Sequence, residues 1–173
     1  MNTAAELVSH YSEQLQPCYP PYDESTRRLE LTFKSFRAAV RELPDPSAEI
    51  GNALLTLQNV RNPGHIDLWL MAATEFPNHS YVPALCELLM HRERYIQHEW
   101  IAEILGDLGD EHAIPALIDA CNVDDTFDPA QSLAFRYIDS LQQIDIPESR
   151  SAIRSLAESP LAHVREYAIQ VLP

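Results

Sequence analysis

Residues 81–89 read Tyr81-Val82-Pro83-Ala84-Leu85-Cys86-Glu87-Leu88-Leu89, and residues 113–121 read Ala113-Ile114-Pro115-Ala116-Leu117-Ile118-Asp119-Ala120-Cys121. The Pro-Ala-Leu that opens at Pro83 recurs at Pro115, and Ser151-Ala152-Ile153-Arg154-Ser155-Leu156 is a third, weaker copy. Between these blocks lie partner blocks beginning at Trp69, Ile101, Ala134 and Ala168, nearly evenly spaced along the chain. Four positions further on stand Ala73, Leu105, Ile138 and Leu172, all apolar. An apolar i, i+4 pair that recurs in this way is one helical face meeting the same core environment in every unit. Each unit therefore predicts two helices and a tight turn. A near-constant period of this length signals a stacked solenoid, because one helix pair cannot cover its own apolar stripe while stacked neighbours can.

Punctuation supports short helices. Pro83 and Pro115 fall in the first turn of the first helix in a unit, where the missing N–H costs nothing. Gly109-Asp110 and Phe76-Pro77-Asn78 read as helix stops. The first half is less regular. It predicts helices over residues 4–16, 23–43 and 47–60, the last with Ser47 as N-cap, and a Pro/Tyr loop over 17–22. The expectation is an all-α fold of about ten helices: an α-solenoid of antiparallel helix pairs forming one domain over 1–173. Residues 1–46 are read as an irregular N-terminal helical cap and 47–173 as the repeats.

Composition narrows the function classes. Hydrophobic residues make up 46% of the 173, enough for a sizeable core. Only four are glycine, where usual composition gives about twelve, so phosphate-cradling G-x-G-x-x-G and G-x-x-x-x-G-K-[ST] loops are absent. The net charge is -14, and residues 99–148 carry twelve acidic side chains against one basic, Arg136. Such a stretch repels a phosphate backbone, which argues against nucleic acid as partner and for a basic protein. Three cysteines without C-x-x-C spacing suggest neither zinc nor a disulfide framework. The N-terminus lacks the basic and apolar regions of a signal peptide, and no apolar run reaches the ~18 residues of a membrane span. The expected compartment is the cytoplasm, with no membrane partner.

The string Glu99-Trp100-Ile101-Ala102-Glu103-Ile104-Leu105-Gly106-Asp107-Leu108-Gly109-Asp110-Glu111-His112-Ala113-Ile114-Pro115-Ala116-Leu117-Ile118 resembles the HEAT repeat, in the variant also found in phycobilin lyases. Val164–Leu172 looks like another repeat's second helix. The resemblance implies an α-solenoid whose second helices line a binding surface. One enzymatic HEAT family, the deoxyhypusine hydroxylases, carries His-Glu pairs that bind two irons, and His98-Glu99 stands at such a position. The equivalent positions here are Ile66-Asp67, Gln131-Ser132 and Arg165-Glu166, so the histidine recurs in none of them. One pair cannot supply a di-iron centre, and His98 is read as a surface or groove histidine. H-E-x-x-H is absent, since residue 102 is Ala. Asp124, Thr126 and Asp128 have the 1, 3, 5 spacing of a calcium loop but lack its Gly and closing Glu. Asp128 as N-cap with Pro129 at the first helical position explains them without a metal.

No nucleophile motif or paired catalytic carboxylates stand out. The functional expectation is therefore a non-catalytic protein-binding module with no cofactor and no metal. Its partner-binding residues are Glu99, Glu103, Asp107, Asp110, Glu111, Asp124, Asp125, Asp128 and Asp139. Glu103 must turn away from the core positions Ile101 and Leu105, because a step of two positions carries a side chain more than halfway round the helix. Charge reversal at Glu99 and Glu103 is expected to weaken partner binding, and reversal at Arg27, Arg28 and Arg41 to do much less. The favoured role is an immunity-type inhibitor of a basic toxin such as a nuclease. The alternative is a phycobilin-lyase-like or other HEAT-fold enzyme or assembly auxiliary. A homodimer through the C-terminal repeat edge is a further expectation.

Overall fold

The computed structural model describes residues 6–7, 9–11, 22–59, 63–93, 95–123, 128 and 131–172. Among the described residues there is helix and turn but no strand. The helices are α1 (Tyr22–Arg41), α2 (Pro46–Leu54), α3 (Pro63–Glu75), α4 (Val82–Met90), α5 (His98–Leu108), α6 (Ile114–Cys121), α7 (Ser132–Ile144), α8 (Pro147–Leu156) and α9 (Ala162–Val171). Residues 6–7 and 9–11 are also helical. Short 3-10 turns at Leu57–Asn59, His79–Tyr81 and Glu111–Ala113 punctuate them. The chain divides into two compact units, Met1–Asn78 and His79–Pro173.

In the first unit α1 and α2 both pack on α3. Phe36 of α1 and Trp69 of α3 meet edge to face, with centroids 5.5 Å apart and both rings buried. Arg37 and Arg41 reach Glu75 at the end of α3. The start of α2 differs from the sequence expectation. Asp45, not Ser47, is the N-cap, and its carboxylate accepts from the Ala48 N–H at 3.0 Å. Pro46 takes the first helical position, which leaves Ser47 already inside the helix.

The second unit is two layers of helices. The first helices α4, α6 and α8 pack in succession, and so do the second helices α5, α7 and α9, with each first helix also packed on the second helix that follows it. This is the stacked-solenoid arrangement that the sequence period predicts, in the pairing of first and second helices that the resemblance implies. Its recurring apolar positions are where the period puts them: Ile101, Leu105, Ala134, Ile138 and Ala168 are buried. Leu172, just past α9, is only half-buried. Burying one such aliphatic side chain contributes about 1.5–3 kcal/mol, so the layered core dominates what holds the unit together. Pro83 and Pro115 sit in the first turns of α4 and α6, and Pro147 opens α8. Gly109 ends α5 in the left-handed region at φ 64°, where a residue without Cβ carries no steric penalty.

Candidate functional site

The second helices α5 and α7 run side by side in the same direction. Ser140 Oγ donates to the Ala102 carbonyl at 2.7 Å, and further along Gln143 donates to the Asp107 carboxylate. Gly106 makes this approach close: a Cβ there would lie 3.1 Å from the Ser140 Cα. Above the crossing opens a groove of about 320 Å³ lined by Glu99, Glu103, Arg136, Asp139, Ser140 and Gln143.

Glu99 and Glu103 are exposed. They occupy one side of α5 because Ile101, Ala102 and Leu105 commit the opposite side to the core. Asp139 is half-buried and accepts from the Tyr167 hydroxyl of α9 at 2.7 Å. That hydrogen bond to the protonated phenol pushes the Tyr167 pKa up. The Tyr167 ring packs on Phe135 at 4.5 Å, which fixes the hydroxyl over Asp139. Arg136, exposed on the same face of α7, is the groove's basic lining residue.

The expected binding residues thus fall into separate places. Glu99, Glu103 and Asp139 share the groove, and Asp107 reaches its edge through Gln143. Asp110 and Glu111 belong instead to the turn after α5. Asp110 caps the Glu111–Ala113 turn through the His112 N–H at 3.0 Å and holds the rings of His79 and His112. Glu111 is exposed beside it. Asp128 is half-buried and accepts from the Leu133 N–H at 2.7 Å and from Ser132 Oγ at 3.2 Å. It caps α7, but not as the N-cap residue: α7 begins only at Ser132, and Gln131 occupies the N-cap position at φ 57°. Asp124 and Asp125 lie outside the described residues, as does Pro129.

Arg136, Ser140 and Gln143 were missing from the expected set. Arg136 had a visible signal, since it stands one repeat after Glu103 on the same face. Ser140 and Gln143 had none, because only the helix crossing brings them to the groove.

The other chemistry-bearing residues lie away from the groove lining. His98 is buried at 3% exposure rather than lying on the surface or in the groove. Burial and the neighbouring Arg92 cation lower its pKa to about 4, against hydrogen bonds to the Glu93 and Leu89 backbone. The first residue of α5 points inward, so the exposed member of the His98-Glu99 pair is the glutamate. Among the described residues no group of three or more His, Cys, Asp or Glu side chains could hold a metal ion. Cys86 and Cys121 are free thiols, pushed up by burial to about 11 and about 12. Burial thus favours the neutral thiol at both positions at neutral pH. Arg92 turns inward and donates to the Tyr137 hydroxyl and the Ala120 carbonyl, both at 3.3 Å. No helix of the described residues is long and apolar enough to cross a membrane.

No curated protein matches the chain in sequence. The family model described as PBS lyase HEAT-like repeat matches residues 98–122, which span α5, the Glu111–Ala113 turn and α6. The match covers the exposed carboxylates of α5 and one complete inter-repeat turn. The matched α5 and α6 pack into the two stacked helix layers of the second unit, so the matched segment is a HEAT-like repeat within an α-solenoid.

Proposed function

We propose that the groove between α5 and α7 docks a basic segment of a protein partner. The observation that carries this reading is the convergence of Glu99, Glu103 and Asp139 on one groove in which Arg136 is the basic lining residue. Glu99 and Glu103 have no hydrogen-bond or ion-pair partner among the described residues and are exposed, so their charge is available to a visitor. The net charge of -14 adds a long-range attraction that speeds encounter with a cationic surface. An immunity-type role fits this balance, because a toxin that acts on nucleic acid must itself be basic to bind phosphate.

The test uses an oligo-arginine peptide as probe and the half-buried Trp100, next to Glu99, as the fluorescent reporter. Glu99→Lys together with Glu103→Lys slows association about ten-fold or more at low salt. It leaves stability within about 1 kcal/mol, since exposed charges contribute little to folding. Arg154→Glu, outside the groove, leaves the rate no slower than wild type. Equal association by wild type and the double reversal overturns the reading. Protection of cells on co-expression with a basic nuclease encoded beside this chain supports the immunity role, and absence of protection removes it.

A role in handling bilin pigments is the second reading, and the description of the matching repeat family favours it. New visible absorbance after co-expression with a bilin supports it, and an unchanged spectrum removes it. A second copy seated on a groove of about 490 Å³ lined by Ile153, Arg154, Val171 and Leu172 is also proposed. A monomer mass by light scattering at high concentration counts against it.

A further inference from the structure

We propose that Asp110, His79 and His112 form a proton-operated clamp that ties together the turns opening two successive repeats. The 3-10 turn His79–Tyr81 leads into α4, and the turn Glu111–Ala113 leads into α6. They are the same element one repeat apart. Asp110 joins them. Its Oδ1 accepts from the His112 backbone N–H at 3.0 Å and from His112 Nδ1 at 2.8 Å. Its Oδ2 accepts from His79 Nδ1 at 2.9 Å. Each carboxylate oxygen thus serves one repeat, and one side chain bridges both.

The environment suits a proton switch. The carboxylate is largely covered, while the imidazoles of His79 and His112 are 68% and 78% exposed, open to exchange with solvent. The charged neighbour on the same turn is Glu111, and α4, which packs on both turns, presents Cys86. Burial, with the Asp110 charge adding to it, holds Cys86 as a neutral thiol, so Cys86 does not compete for protons across the working range. The hydrogen bonds from His112 and His79 hold Asp110 down at about 2. The Asp110 hydrogen bond and charge, with Glu111 behind them, raise His112.

The signs set the window. The Asp110 contribution is present above its ordinary pKa of 3.8 and fades as pH falls toward 2. The His112 contribution is full below 6.5 and fades as pH rises through its raised folded value. The clamp is therefore tightest between about pH 4 and pH 6.5, where carboxylate and imidazolium coexist as charge-assisted hydrogen bonds. Above that window the His112 imidazolium loses its charge as pH rises through its raised value, and the junction between the two repeats loosens.

The test is an NMR titration of the His112 ring in the full chain, with hydrogen exchange at residues 79–82 and 111–114. Asp110→Asn keeps a cap oxygen for the His112 N–H but removes the charge. It shifts the His112 midpoint down to that of an ordinary exposed histidine and abolishes the acid-side slowing of exchange in both turns. His79→Gln with His112→Gln removes the same pH-dependent part of the melting profile. His98, whose buried ring titrates with the opposite sign, is common to all variants and cancels in the difference. An unchanged His112 midpoint in Asp110→Asn overturns the clamp. So does a double-glutamine variant that keeps the wild-type pH profile.

Discussion

Asp67 on α3 carries a charge that the fold accommodates poorly. Its Oδ1 is buried without a hydrogen-bond partner, and burial raises its pKa to about 6. A carboxyl raised in the fold is a liability when ionised. The cost is absent below the ordinary 3.8, grows between about pH 4 and 6, and is complete above that. Asp67→Asn keeps the shape and removes the charge. It stabilises the protein at pH 7.5 by about 1–2 kcal/mol, a figure already reduced for partial exposure. Denaturant melts at pH 7.5 and pH 4 check this, and the gain should vanish at the lower pH. A gain that persists at pH 4 means that the carboxyl's charge is not the cause. His98 shows the same physics in reverse: a buried imidazole is kept neutral, so it withholds stability only as pH falls from 6.5 toward 4.

At the scale of the element, α5 is held by two glycines with different duties. Gly109 needs its φ of 64°, yet an added Cβ would meet nothing within 4 Å. Gly109→Ala therefore costs only the conformational penalty of the left-handed region, about 1 kcal/mol. Gly106 is helical and its problem is space. A Cβ would lie 2.8 Å from Gln143 Oε1, which can swing away, and 3.1 Å from the Ser140 Cα, which cannot. Gly106→Val forces α5 and α7 apart, costs about 1–3 kcal/mol by overpacking, and disturbs the groove. Thermal melts with the peptide titration separate the two. Gly109→Ala lowers stability and leaves probe binding alone, whereas Gly106→Val lowers both. Equal binding by both variants shows that the groove does not depend on the helix approach.

For the whole molecule the imbalance of charge is the governing quantity. Like charges repel more in the compact state than in the unfolded chain, and salt screens them with a Debye length of ~30 Å at ~0.01 M and under about 10 Å above ~0.15 M. Raising the ionic strength from about 0.01 to about 0.5 M should raise the melting temperature while slowing capture of the oligo-arginine probe. The two effects have opposite signs from one cause. A melting temperature that falls with salt shows that local ion pairs, such as Arg37 and Arg41 with Glu75, outweigh the general repulsion.

What the amino-acid sequence determined by itself is the architecture of the repeats and the face of α5 that meets solvent. Helical periodicity is a local property, so Ile101 and Leu105 inside imply Glu103 outside without knowledge of any neighbour. The stops at Gly109 and at Phe76-Pro77-Asn78, just after Glu75, and the prolines in the first turns were equally legible, because each acts through its own backbone. Tertiary structure alone decided which carboxylates are free. Asp110 looks like Glu99 and Glu103 in composition, yet its second carboxylate oxygen is occupied by a partner as distant in sequence as His79. It decided also that His98 faces inward, and that Ser140 and Gln143 join Glu103 in a groove. A side chain's hydrogen-bond partners depend on how helices cross, and the crossing of α5 with α7 is set by packing around Gly106, which no residue pattern within either helix encodes.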